Sequence, residues 1–206
     1  MRSTTQLYNT AISRLGGDQL PVNQSPQEGN TLGKLCDNLF PHVLDMTLSA
    51  HEWGFAVKRV RLAEHGKIED PASAYGHAYV LPTDCVRPIR LMGDWFSSAY
   101  GGAVYVIEGN LLRTFEPNAV LDYVARVTDP QAWPAPFADA LAWGLAAELA
   151  SAHLNNAQKQ NFCYQHYQAS LAQAIARDCN NQNKPAPVSR WNAARHGMTS
   201  PRAERW

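Results

Sequence analysis

The segment PAPFADALAWGLAAELASAHL, residues 134–154, has the residue pattern of a helix. Large apolar residues recur in it at the spacing of one helix face, and alanine occupies many of the positions between them. The predicted buried stripe consists of Phe137, Leu141, Leu145, Leu149 and Ala152. We therefore predict a helix after Pro134-Ala135-Pro136 whose small residues let other helices pack closely against it.

A second helical pattern opens the chain. Residues 4–15 place Leu7, Tyr8, Ala11, Ile12 and Leu15 on one apolar face. Thr4 or Thr5 is a candidate N-cap, and Gly16-Gly17 supplies a helix stop. A polar linker, residues 18–30, is expected to follow.

The next helix is expected from about Gln27 to Glu52. Pro41 lies inside it and should kink or split it, because proline lacks an N–H and clashes with the preceding turn. The predicted buried stripe is Leu32, Leu35, Cys36, Leu39, Val43, Met46 and Ala50.

The last helix is expected from about Asn156 to Cys179. Its predicted inward-facing residues are Phe162, His166, Tyr167, Leu171, Ala174 and Ile175. The segment beyond it, residues 184–206, has few aliphatic residues, five positive residues and one negative residue. We expect it to leave the core as a tail.

Short apolar runs of extended character fill the middle of the chain. Turn signals separate several of them, at Pro82-Thr83-Asp84 and at Glu108-Gly109-Asn110, where a hairpin is expected. The predicted strands cover residues 57–62, 75–81, 86–92, 104–107, 111–115 and 120–127.

Helices, then strands, then helices indicate an α+β protein, because the alternation typical of parallel βαβ units is absent. We predict a bundle of four to five helices with an inserted antiparallel β subdomain and an extended C-terminal tail. The predicted divisions are the N-terminal helices of the bundle (1–55), the β-rich insertion (56–130), the C-terminal helices (131–183) and the tail (184–206).

The composition narrows the class of protein. At 45% hydrophobic and 17% charged residues, the chain is globular in character. Its formal charge of zero argues against a protein whose main task is to grip nucleic acid. No apolar run is long enough to span a bilayer or to serve as a signal peptide, so we expect a soluble protein that folds where it is made.

Motifs for phosphate and metal chemistry are incomplete. Residues 29–35 superficially resemble a phosphate loop, but Leu35 stands where Ser or Thr must bind magnesium. His51-Glu52 begins like a zinc-protease motif, but Phe55 stands where the second histidine belongs. His153 and His166 lie on neighbouring helices and are more typical of structural histidines. We therefore predict no metal and no cofactor.

Motifs for covalent catalysis are also absent. Cys36, Cys85, Cys163 and Cys179 are far apart, which is typical of reduced, buried cysteines. Asp84 beside Cys85 is more typical of an aspartate that closes a turn with its side chain. We therefore predict that the protein is not an enzyme.

An ordered series of motifs resembles the tail tubular protein A family, the head-to-tail adaptors of short-tailed bacteriophages. Residues 7–16 resemble the opening helix of that family, and Trp53-Gly54-Phe55-Ala56 resembles its Trp-x-Phe-Ala element. Residues 81–87 match its Leu-Pro-x-Asp-Cys-x-Arg element, and a turn at residues 107–112 precedes the closing helices. The resemblance spans about residues 6–180.

This resemblance implies a dodecameric ring in the virion, between the portal above and a tail nozzle similar to tail tubular protein B below. Tail fibres are a further candidate partner. Genomic DNA would pass through the lumen without specific binding, and no membrane is involved. The protein would be made in the cytoplasm of the host bacterium and would act in the ejection channel.

Two groups of residues are candidate contacts. In the tail, tryptophans among arginines suggest anchors for the portal, against the alternative of a disordered terminus. These residues are Arg190, Trp191, Arg195, Arg202, Arg205 and Trp206. At the β tips, the aromatic Gly/Ser-rich loop and the hairpin turn suggest nozzle contacts, although the loop aromatics could equally pack under the β subdomain. These residues are Trp95, Phe96, Tyr100, Glu108 and Asn110.

Three other functions remain open at this stage. A neck or head-completion connector of a long-tailed phage would share the helical bundle. A virion-associated cell-wall hydrolase would depend on a carboxylate. A nucleic-acid-binding regulator would use the basic tail and would lose affinity steeply with salt.

Overall fold

The computed structural model describes residues 3–17, 31–67, 75–93 and 103–181. Within these residues the chain is a mixed α+β protein with antiparallel sheets, as predicted. The elements in chain order are α1 (Thr4–Leu15), α2 (Thr31–Ser49), β1 (Val57–Arg61), β2 (Ala63–Lys67), β3 (His77–Val80), β4 (Cys85–Met92), β5 (Tyr105–Glu108), β6 (Leu111–Thr114), β7 (Val120–Ala125), α3 (Ala135–Ala152) and α4 (Ala157–Asn181). The predicted linker, the aromatic loop and the tail lie outside the described residues.

Helix α3 is the centre of the helical region. The helices α1, α2 and α4 all pack against it. Phe137, Leu141, Leu145 and Leu149 are buried as predicted, whereas Ala152 is exposed because α3 ends there. Five alanines and Gly144 of α3 are buried too, so the helix is enclosed on several sides and not along one stripe.

Helix α1 has the predicted bounds but a different N-cap. Ser3, and not Thr4 or Thr5, caps it: the Ser3 hydroxyl accepts from the backbone N–H of Gln6 at 3.2 Å. The Gln6 side chain accepts from the N–H of Ser3 at 3.1 Å, which completes a capping box. At the other end, Gly16 has a φ of +78°, the left-handed conformation that glycine adopts at little cost.

Helix α2 runs through Pro41 without being split, contrary to one of the two predicted outcomes. Its buried residues are Gly33, Cys36, Val43, Leu44, Thr47 and Leu48. Of the predicted stripe, only Cys36 and Val43 are buried; Leu32, Leu35, Leu39 and Met46 are partly buried, and Ala50 is exposed. The hydrophobic pattern did not predict that Thr47 is buried, because threonine is polar. Its hydroxyl donates to the Val43 carbonyl at 2.7 Å, so burial leaves this donor with a hydrogen-bond partner.

Helix α4 buries Cys163, Tyr167 and Ala174 against the core. Two predicted inward residues, Phe162 and His166, are exposed instead. Both rings pack around Trp143 of α3 at the margin of the helix pair, where the His166 and Trp143 centroids lie 4.5 Å apart. Phe162 and His166 therefore contact Trp143 while both remain exposed to solvent.

The strands form a three-stranded sheet in the order β1-β7-β4 and a four-stranded sheet in the order β2-β3-β6-β5. The sequence pattern missed β2, whose pairing with β3 carries a register shift between Glu64 and Gly66. Strand β7 connects two apolar cores, because successive strand residues point to opposite faces. Val124 belongs to the core of the helices, and Leu121 and Tyr123 belong to the core between the sheets.

Gly144 sets the distance between three helices. A Cβ at this position would lie 2.9 Å from Cγ1 of Val43 on α2 and 3.2 Å from the Tyr167 ring on α4. Gly144→Leu should therefore destabilise the protein by roughly 2 kcal/mol or more, because side chains in a packed core must shift. Ser151→Leu, at an exposed position of the same helix, is the control and should change stability little. Thermal unfolding followed by circular dichroism measures both; equal melting temperatures would contradict the close packing.

Candidate functional site

The structure places two of the predicted nozzle contacts at one tip. Glu108 and Asn110 are exposed at the predicted β5–β6 hairpin, where Glu108 pairs with Leu111 and Gly109 has a φ of +64°. Glu108 Oε2 lies 2.8 Å from Arg113 Nε of the adjacent strand. Trp95, Phe96 and Tyr100 lie outside the described residues, as do all six tail residues predicted to contact the portal.

One arrangement superficially resembles a cysteine protease site. His51 Nε2 lies 3.2 Å from Asp178 Oδ2 and 3.8 Å from the Cys179 sulfur. A catalytic triad needs the acid and the nucleophile on different ring nitrogens, because the histidine passes a proton through one while the other is held. Both partners share Nε2 here. Asp178 also accepts from the N–H of Gly54, so the cluster fastens the end of α4 to the segment after α2.

Asp84 and Cys85 lie where β1, β7 and the turn before β4 meet. The Asp84 carboxylate accepts from Lys58 Nζ at 2.7 Å and from the Tyr123 hydroxyl at 2.9 Å, so it joins β1 and β7 to the turn before β4. The bond from Lys58 is the main cause that holds the pKa of Asp84 below its ordinary value. The predicted turn closure is made by the backbone, since the N–H of Cys85 donates to the Pro82 carbonyl.

The cysteines are free thiols, as predicted. Burial raises the pKa of Cys85 to about 11 and that of Cys36 to about 12, so neither is a ready thiolate at neutral pH. Cys36 and Cys163 are buried, but Cys85 is only partly buried and Cys179 is exposed, contrary to the prediction that all four are buried. Cys179 lies in the last turn of α4, beside Asp178 and His51.

No group of three or more His, Cys, Asp or Glu among the described residues is arranged to hold a metal ion. A groove of about 300 Å³ lies between α1 and the start of α3, with Leu7 and Trp133 among its apolar walls. Its carboxylate, Asp139, already accepts from Arg14 and from Ser170. The described helices include none with the length and apolar content to cross a bilayer.

The outer face of α4 is unusual for a helix at the surface. Residues 160–176 contain no Asp, Glu, Lys or Arg. Phe162 and Tyr164 are about half exposed, and Ala169, Ala172 and Ala176 are exposed as well. Surface helices ordinarily carry charge on the side that faces water, and charge depletion with exposed aromatic rings is typical of the centre of a protein interface. We call the exposed residues within 160–176 the uncharged face of α4. Its signal in the sequence is the absence of charged residues, which an analysis of hydrophobic periodicity does not detect.

A second surface has the opposite character. Asp122 of β7 is buried, and it accepts from Arg59 of β1 at 2.6 and 3.0 Å and from Arg90 of β4 at 2.8 Å. Strand register places Arg61 and Arg87 on the same face of the sheet. Four arginines thus share one face of the sheet with a single carboxylate, which binds two of them, and we call this group the arginine face. The alternation of Arg59 and Arg61 is its signal in the sequence.

Two opposing effects set the protonation of Asp122. Burial alone would raise its pKa, but the bonds from Arg59 and Arg90 together hold the pKa below its ordinary value. The carboxylate therefore stays charged to a lower pH than an ordinary aspartate does.

Comparison with known proteins adds no family. No protein-family model matches the chain, and no curated protein matches it significantly.

Asp122→Asn should destabilise the protein at pH 7, because both guanidinium groups lose their shared charge partner. The folded pKa is depressed, so this stabilisation is fully present above the unfolded pKa of about 4 and is lost as pH falls below it. Urea unfolding at pH 7 and near pH 3 should therefore show a large difference between wild type and variant that narrows in acid. Asp129→Asn, at an exposed position, is the control. A difference independent of pH would contradict the ion-pair account.

Proposed function

We propose that this chain is a structural virion protein, the subunit of a head-to-tail adaptor ring that connects a portal to a tail nozzle. In this proposal the four helices form a bundle, the strands form a subdomain inserted into it, and residues 184–206 form an extended tail. The ring would have the twelve-fold symmetry implied by the resemblance and would surround the DNA ejection channel.

The observation that carries the proposal is the uncharged face of α4. A helix that exposes Phe162 and Tyr164 but no charge over 17 residues is suited to pack against another protein. The small Ala169 and Ala172 would let a neighbouring helix approach closely. A ring closes when such a face meets a different surface of the next copy, because head-to-tail contacts repeat around an axis.

The motif residues that carry the family resemblance support the proposal in another way, because they have structural tasks. Trp53 is buried and donates from Nε1 to the Thr47 carbonyl at 3.0 Å, and Phe55 packs edge-on against Phe137. Asp84 joins three elements through Lys58 and Tyr123. Residues that hold a fold together are those that a family of structural proteins would share.

The tail and the tip of the β5–β6 hairpin have separate proposed roles. The tail, with Trp191 and Trp206 as anchors, would attach to the portal. The hairpin tip with Glu108 and Asn110 would contact the nozzle. The balanced charge of the chain suits a channel wall, since many phosphate contacts would hold DNA and not let it slide.

Ala169→Glu combined with Ala172→Glu tests the interface on α4. Both residues are exposed one turn apart, so the subunit should fold normally. Charges buried without partners at a subunit contact should block assembly. We expect rings of the wild-type chain, alone or with a portal, in negative-stain micrographs and in sedimentation velocity, and only small species for the variant.

Ser151→Glu combined with Asn181→Glu is the matched control, because it adds the same charge at exposed helix positions outside the uncharged face. It should leave assembly intact. Rings formed equally by the Ala169/Ala172 variant would exclude this face as the subunit contact. Failure of the wild-type chain to form rings under either condition would count against the adaptor itself.

Truncation after Asn183 tests the tail. The described core ends at residue 181, so the shortened protein should keep its circular dichroism spectrum and melting temperature. It should bind a purified portal at least tenfold more weakly, because it lacks both tryptophan anchors. Surface plasmon resonance measures the loss, and unchanged portal binding would remove the tail from the interface.

A further inference from the structure

The outer edge of β1 is open within the described part of the chain. Ala56 accepts from Ala125 at 2.8 Å, and Leu62 donates to Ala119 at 2.9 Å. In an antiparallel pair, alternate residues turn both backbone groups toward the partner strand. Residues 56, 58, 60 and 62 therefore face β7, and Val57, Arg59 and Arg61 face away. The Val57 N–H donates to the Trp53 carbonyl. The backbone N–H and C=O groups of Arg59 and Arg61, and the carbonyl of Val57, therefore point outward from the edge.

This edge differs from the opposite edge of the same sheet. Strand β4 carries Pro88 and two register shifts, and its Leu91 carbonyl accepts from Ala103 at 2.8 Å. Proline, irregular register and a covering segment are common protections against strand pairing. By contrast, β1 pairs with β7 in unbroken register, and all five of its residues are exposed. Regular geometry at an uncovered edge is suited to accept another strand.

The side chains beside this edge specify the charge of that strand. Arg59 and Arg61 lie on the arginine face, where Asp122 is the one acid in register with them on β7. Arg61 forms no ion pair with a described residue. An added strand would place alternate side chains directly beside Arg59 and Arg61, and acidic residues there would be stabilised by the excess positive charge.

We propose that the β1 edge binds an extended, acidic segment of another polypeptide by strand addition. A second β1 would bring like charges together, and β5 of a second copy offers only Glu108, which already pairs with Arg113. Duplex DNA would use the arginines but not the exposed Val57 and Val60 or the outward carbonyls, which repel phosphate. The proposal does not depend on the adaptor ring, and it holds for the monomer.

A labelled peptide of alternating glutamate and valine tests the proposal by fluorescence anisotropy with the full chain. It should bind, and the same peptide with lysine in place of glutamate should not. Arg61→Glu should weaken binding about tenfold. Arg177→Glu, an equal charge change at an exposed position of α4, should leave binding unchanged.

The backbone contribution is separated by two further variants. Arg61→Ala removes only the side chain, whereas Arg61→Pro also removes an outward N–H and spares the ladder to β7. Arg61→Pro should bind the peptide about fivefold more weakly than Arg61→Ala, since it lacks one more hydrogen bond. If Arg61→Pro unfolds, slowed amide exchange of Arg59 and Arg61 on peptide binding gives the same information.

Equal binding of the glutamate and lysine peptides would overturn the proposal, as would unchanged affinity of Arg61→Glu. Binding of a short DNA duplex in place of the peptide would also overturn it and assign the arginine face to nucleic acid. None of these outcomes tests ring formation, because the proposed ring contact is the uncharged face of α4 and not the edge of β1.

Discussion

Burial of α3 governs how the other helices of this protein are arranged. Ten residues of this helix are buried, and they lie around most of its circumference. Full burial of a leucine side chain contributes about 2 kcal/mol, so Leu141, Leu145 and Leu149 alone favour a strongly enclosed helix. The helices α1, α2 and α4 enclose α3 by packing around it. Gly144, which has no side chain, allows α2 and α4 to approach α3 closely.

The same constraint determines which surfaces are left for partners. Helix α4 covers α3 with one side, and its last turns are fastened to the core through Asp178 and the N–H of Gly54. Its other side is held in a fixed position but is not used by the fold. Strand β7 has a similar role in the sheets: it is buried, it joins both cores, and Asp122 at its centre orients Arg59 and Arg90. The uncharged face and the arginine face are therefore presented by elements that are packed against the cores or paired with β7.

Much of this fold is predictable from sequence where one physical signal dominates. The large apolar residues of α3, the glycine stop of α1 and the Gly109 hairpin follow directly from periodicity and turn chemistry. Other features depend on contacts that a linear pattern does not contain. Thr47 is buried because its hydroxyl bonds within its own helix, while Phe162 and His166 are exposed because Trp143 lies at the margin of α3. Strand β2 was missed because its Gly66 and polar residues pair only in the context of β3.

The interaction surfaces were less predictable than the elements that carry them. Sequence patterns indicated tryptophans and basic residues outside the described core as candidate contacts. They did not indicate α4, whose outer face is distinguished by the absence of charged residues. The proposal of an adaptor subunit connects both, since the ring would use α4 and the attachment to other virion proteins would use the tail and the hairpin tip. Cryo-electron microscopy of the full chain bound to a portal tests this most directly. We expect a closed ring in which the uncharged face of α4 contacts the next subunit. A portal complex without a ring, or a ring with that face in solvent, would count against the proposed adaptor.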